Sequence, residues 1–153
     1  MAQETTYRSA AAAHRTETAG WRDGALLAAR LLLGSIFVQS GFGKLTNLGG
    51  FAAGLEGMGV PLPYVAGTVG ALIEFFAGVA LVLGAWTWLA ALLLILFTAA
   101  ATAIAHRFWE YPPEQQMIQS IMFMKNLAII GGFLAVLAAG PGRYGVDGWR
   151  GRA

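Results

Sequence analysis

The chain has 153 residues, of which 57% are hydrophobic and only 12% charged, and its mean hydropathy is +0.60. That charged share is about half that of an ordinary soluble domain. It excludes a disordered chain and argues against a soluble globule, whose large surface it cannot cover. Cysteine is absent, which excludes disulfides, thiolate catalysis and thiolate-held zinc or iron–sulfur clusters built by this chain alone. The formal net charge of +2 comes from scattered residues, so nucleic acid is not an expected partner.

Residues 1–22 are polar and Ala-rich, and read as a flexible cytoplasmic tail. The first apolar stretch runs from about Gly24 to Gly43 and holds Arg30. It lacks a small-x-small cleavage site and more spans follow, so it reads as an uncleaved helix. Residues 44–63 read as a Gly-rich loop closed by Pro61-Leu62-Pro63. A second stretch covers 64–84, interrupted only by Glu74, and a very short turn makes the third, 86–105, its antiparallel neighbour. Residues 106–119 form a polar loop in which Pro112-Pro113 blocks helix continuation. The fourth stretch, about 120–139, carries Lys125 and Asn126 and ends at Gly140-Pro141-Gly142. Residues 143–153 form a second cytoplasmic tail.

Each stretch is about 20 residues long, which suits a hydrocarbon core ~30 Å thick. Open strands leave backbone groups unpaired in lipid, so these are helices. The expected fold is all-α, a transmembrane four-helix bundle over residues 24–142 with both termini on one side. Arg8, Arg15, Arg22, Arg143, Arg150 and Arg152 flank that side, against Lys44 and Arg107 on the other. The excess predicts cytoplasmic termini and a multi-pass protein of the cell (inner) membrane, in contact with the lipid bilayer.

Ionisable residues inside a span are the informative ones, because each costs ~2.5–3.5 kcal/mol at the bilayer centre and needs a partner. Glu74 lies ten residues from Gly84, ~15 Å deep and near the midplane. Arg30 lies ~9 Å from the cytoplasmic end and Lys125 ~7 Å from the outer one. Either is a candidate partner for Glu74, and such a pair can be purely structural. Lys44 reads as snorkelling to the headgroups. Gly70, Glu74 and Gly78 share a face, and the small residues allow close helix approach or a pocket over the carboxylate. Ser35 and Gln39 share a face of the first helix, and Thr98, Thr102 and His106 one of the third. Convergence of these stripes would line a polar cavity opening outward. His106 and Glu110 supply only two possible ligands, so no metal site is expected.

The order and spacing of these elements resemble the DoxX family of small four-helix membrane proteins. The matching elements are Arg30-Leu31 with Gly34, Gly41-Phe42-Gly43-Lys44-Leu45, and Gly59-Val60-Pro61-Leu62-Pro63. They continue through Gly70-x3-Glu74-x3-Gly78, then Leu81, Gly84 and Thr87, and His106. Phe123-x-Lys125-Asn126-Leu127, Gly131-Gly132 and Gly140-Pro141-Gly142-Arg143-Tyr144 with Asp147 complete the match over about residues 24–149. The resemblance implies a membrane subunit or accessory of a redox system, linked to quinone. Glu74, His106 and Lys125 are then the candidate catalytic residues, and Gln39, Asn126, Arg30 and Phe123 the candidate quinone or cavity lining, with Phe75 and Phe76 as further walls. His106 is the candidate proton exchanger near neutral pH and Glu74 an inward relay. No haem or iron–sulfur cluster is expected in this chain, so electrons would come from partner subunits of a redox complex, and self-association is the other expected contact. A non-catalytic scaffold that anchors partner proteins is the alternative. A small-molecule or lipid transporter ranks last, because no pair of broken helices marks matching halves.

Overall fold

The computed structural model describes the backbone of residues 2–151 and the side chains of residues 20–151. Arg152 and the side chains of Arg8 and Arg15 lie outside the described residues, and so do the side chains of the expected N-terminal tail as far as residue 19.

Among the described residues four helices are long and apolar enough to cross a membrane. Helix α1 (Ala2–Thr46) contains the first span, Gly20–Thr46, and its backbone helix begins well before Gly24. Helix α3 (Pro63–Leu83) and helix α4 (Thr87–Ala105) are joined by the short turn expected from the sequence. Helix α5 (Pro113–Ala139) is the fourth span and starts seven residues before Ser120. Pro112-Pro113 does not delay it. Pro113 stands in its first turn, where a missing N–H is no loss and the fixed φ suits the helix.

Residues 44–63 are not a plain loop. Helix α2 (Leu48–Gly57) occupies half of them. Asn47 caps it, its side-chain oxygen accepting from Gly50 N at 3.2 Å. Phe51 and Leu55, one turn apart, pack over Gly67 of α3. Tertiary burial thus overrides the high glycine content of this segment. A short helix α6 (Val146–Trp149) lies in the expected C-terminal tail.

Helix α1 packs chiefly on α3, and α4 packs between α3 and α5. The α1–α3 seam is tight. A Cβ at Gly41 would meet the Phe75 backbone N at 2.6 Å, and one at Gly78 would meet the Val38 backbone N at 3.0 Å. Small residues thus bring the two backbones together, the usual device where lipid removes the hydrophobic drive between helices. The core midway along the bundle is apolar: Phe37, Ala77, Leu81, Leu94, Phe133 and Val136 fill it. Phe37 packs on Phe133 and Phe97, with centroids 5.3 and 6.4 Å apart.

Candidate functional site

Polar groups collect at the two ends of this dry layer. At the end holding α2, the α1–α3 crossing carries Lys44 one turn beyond Gly41. Helical side chains slant toward the N-terminus of their own helix, so the lysine reaches back down α1 to Glu74. Lys44 Nζ donates to Glu74 Oε2 at 2.5 Å. The Glu74 side chain is 4% exposed and that of Lys44 25%. The ammonium also stands 5.1 Å from the Phe51 ring centroid and 5.3 Å from that of Phe97, within cation–π range. Glu74 therefore pairs with neither Arg30 nor Lys125, and Lys44 turns inward instead of snorkelling to the headgroups.

Above this pair lies a pocket of about 340 Å³ between α2 and α4. Lys44, Phe51, Phe97, Ala101, Met58 and His106 are among its lining residues, and its walls are almost wholly apolar. A polar recess of about 250 Å³ adjoins it across Met58 and Ile104, lined also by Arg107, Glu110 and Tyr111. Arg107 and Glu110 form an ion pair at 3.2 Å. His106 Nδ1 is 2.8 Å from Gln119 Oε1, so with Nδ1 as the donor Nε2 is left as the acceptor.

The expected polar stripes converge only in part. Asn126 Nδ2 donates to Thr102 Oγ1 at 2.9 Å and ties α5 to α4. Thr98 and Thr102 donate their hydroxyl protons to Leu94 O and Thr98 O in their own helix. Ser35 does likewise to Leu32 O. Gln39 and Lys125 are exposed, outside the pocket. The only hydrogen-bond contact of Lys125 among the described residues is Met122 Sδ, at 3.2 Å. Phe123 meets Phe108 and Trp109 edge to face, with centroids 5.7 and 6.1 Å apart, beside the helix end. Phe75 packs between Phe42 and Phe76, and Phe76 lines a separate apolar groove between α3 and α4. The pocket walls are thus Phe51 and Phe97. The i, i+4 pair Phe51/Leu55 was the sequence signal for the first, hidden within an apparent loop.

The opposite end is sealed. Arg30 is 0% exposed and Nη2 donates to Tyr144 O at 2.8 Å, while Nε and Nη1 have no hydrogen-bond partner among the described residues. Gly84 (φ +65°) lies against that guanidinium, and a Cβ there would fall on Nη1. Asp147 locks the same place from the C-terminal segment. Its backbone N donates to Gly84 O, and its Oδ2 accepts from Thr87 N at 2.8 Å and Thr87 Oγ1 at 3.1 Å. It thereby satisfies donors at the α4 N-terminus, whose own cap residue Trp86 supplies no side-chain bond. Burial pushes the Asp147 carboxyl up, but hydrogen bonds from Thr87 and Trp86 and the nearby Arg150 outweigh it and hold the group below its usual value. Asp23 Oδ1 accepts from Arg143 N at 3.0 Å and fastens the segment to α1. Among the described residues no group of three or more His, Asp or Glu side chains is placed to hold a metal ion.

Residues 25–107 match the family model of DoxX. The chain is similar to inner membrane protein YqjF of Escherichia coli (strain K12), 39% identical over 82% of this chain and 91% of that protein. It is also similar to inner membrane protein YphA of the same organism, 32% identical over 80% of this chain and 87% of that protein. No solved structure matches it. With four membrane-competent helices, a family match across more than half of its length and relatives aligned almost end to end, this chain belongs to the DoxX family of integral membrane proteins.

Proposed function

We propose that the chain is a multi-pass inner-membrane subunit or accessory of a redox system, and that the pocket over Lys44 and Glu74 takes a quinone headgroup. The pocket itself carries the reading. It offers apolar walls, and at its floor an ammonium that Glu74 already neutralises. Such a floor suits a neutral carbonyl acceptor better than a free anion. Lys44 binds and orients the ligand, Phe51 and Phe97 flank it, and His106 exchanges a proton at Nε2 near the mouth. A quinone would supply two-electron, two-proton chemistry. The electrons come from a partner, since this cysteine-free chain has no thiolate to ligate a redox centre.

The names of the two bacterial relatives support the inner membrane. The surplus of arginines at the terminal end supports cytoplasmic termini, more so now that Lys44 is paired inside the bundle. Titration of a short-chain ubiquinone into the protein in nanodiscs tests the pocket. We expect saturable binding, at least ten-fold weaker in Glu74→Gln and in Ala101→Phe, which fills the pocket and spares the pair. Uptake that does not saturate, or that both variants leave unchanged, rejects the quinone reading.

A non-catalytic scaffold is the second reading. The most lipid-exposed helix favours it: only 11% of the α5 span window is buried, against 22–33% in the other three.

A further inference from the structure

The sealed end encloses Arg30, but the outer surface beside it is indented. Between α3 and α4 runs a groove of about 380 Å³. Phe76, Val79, Leu83, Trp86, Leu89 and Leu93 are among its lining residues, and its walls are almost wholly apolar. From Phe76 to Leu83 it follows α3 for ~10 Å, from the dry middle layer down to the α3–α4 turn. That volume over that length is far narrower than a helix, which is ~10 Å across. The groove also has no polar lining side chain but the indole of Trp86 at its end, so nothing inside it would hold a quinone carbonyl. A single hydrocarbon chain lying along the bundle has the shape and the polarity to fill it.

The mouth of the groove is built differently from its walls. Trp86 stands there with a left-handed backbone, φ +43°, which a bulky residue adopts only where its surroundings impose it. Asp147 imposes it here, accepting from the backbone N–H groups of Trp86 and Thr87. The strained turn holds an indole, 61% exposed, at the mouth. Trp88 and Trp149 are exposed as well, and such a girdle marks the headgroup level. Arg150 lies one turn beyond Asp147, at the end of α6, and so on the side of α6 that meets the α3–α4 turn. Its charge acts on the Asp147 carboxyl, yet among the described residues its guanidinium forms no ion pair. The other accessible arginines of this end are engaged toward α1: Arg22 donates to Ala139 O, and Arg143 pairs with Asp23.

We propose that this groove is a specific site for an anionic phospholipid. One acyl chain lies between α3 and α4 from Trp86 to Phe76, and Arg150 donates to the phosphate at the mouth. Guanidinium and phosphate make paired, charge-assisted hydrogen bonds. A headgroup without an ammonium leaves that phosphate uncompensated, which gives the site its preference. The groove lies at the opposite end of the bundle from the pocket over Lys44, and it stands whether or not that pocket takes a quinone.

The test strips the full-length protein of lipid in detergent and offers it phosphatidylglycerol and phosphatidylcholine with identical chains. Native mass spectrometry counts the lipid retained. Phosphatidylglycerol should be held roughly ten-fold more tightly, the scale of a hydrogen bond to a charged group. Arg150→Gln should erase that preference and Arg143→Gln should keep it. Val79→Phe, which fills the groove, should weaken both lipids. Trp86→Gly suits the left-handed backbone, so it should melt no lower than the native protein and still bind phosphatidylglycerol more weakly. Equal retention of the two lipids overturns the proposal, as does a preference that Arg150→Gln preserves or that Arg143→Gln also erases. Affinity unchanged in both Val79→Phe and Trp86→Gly overturns it too, since the headgroup is then held without the groove. So does full displacement of the lipid by inorganic phosphate, which makes the site one for a free anion.

Discussion

At one end of the bundle Lys44 and Glu74 meet under a pocket, and the lysine keeps 25% of its side-chain surface exposed. At the other end Arg30 is fully enclosed and is held by a segment more than 110 residues away in sequence. Both ends bury charge, but only one leaves room beside it. A buried charge that is boxed in by glycine backbone, a carbonyl and a helix-capping carboxylate has no space for a ligand, and its task is to lock helices. A charge paired at the floor of an apolar cavity keeps donors turned toward whatever enters. Between them the layer of Phe37, Leu81, Leu94 and Phe133 is dry, so among the described residues no polar chain joins the two ends. The inward proton relay through Glu74 expected from the sequence has no visible continuation toward Arg30.

The contrast can be broken by mutation. The largest effect is expected at the sealed end. Asp147→Ala removes the α4 cap with its two hydrogen bonds to a buried carboxylate, which should cost about 3–5 kcal/mol, and it also takes away the negative charge nearest Arg30. Adding Arg30→Met should recover part of that loss in detergent unfolding experiments. If the double variant is as unstable as the single one, the two groups are not one lock. Gly84→Ala comes next, at about 3 kcal/mol, because a side chain there is both strained and sterically blocked by Arg30. A thermal shift near zero would mean the sealed end is looser than its geometry implies.

At the pocket end Lys44→Met should cost less, about 2 kcal/mol, the scale of a hydrogen bond to a charged group. Its larger effect should be on ligand binding, and a variant that loses stability but binds normally would make the pair purely structural. The smallest expected effect is on acid sensitivity. The folded Asp147 carboxyl sits below its ordinary value of 3.8. Its contribution is therefore fully present above that pH and is lost as pH falls through the lower, folded value. Melting temperature should drop more steeply with acid in the native protein than in Asp147→Asn. Parallel acid profiles would remove Asp147 from the account.

Much of this was legible in the residues. Glu74 drew notice because a carboxylate in an otherwise apolar span costs energy wherever it points, and Gly78 beside it did mark a close helix approach. Lys44 was read as an interfacial snorkeller because counting from helix ends gives depth but not direction. The slant of the side chain and the tightness of the α1–α3 seam decided that it turned inward. Phe51 was missed as a wall because α2 is glycine-rich and reads as a loop until Asn47 and the groove at Gly67 are seen to hold it, and Phe97 because only packing decides which face of α4 meets α2. Asp147 looked like one charge in a tail; nothing local shows that it caps a helix 60 residues earlier.

Sequence alone determined the solvent, the number of spans and the presence of costly charges inside them, because hydropathy and helix length against bilayer thickness are local quantities. Tertiary structure decided which charges meet, which end is sealed and which stays open, and which face of α5 is left bare. Those depend on helix rotation and crossing, and only the packing of one helix against another sets them.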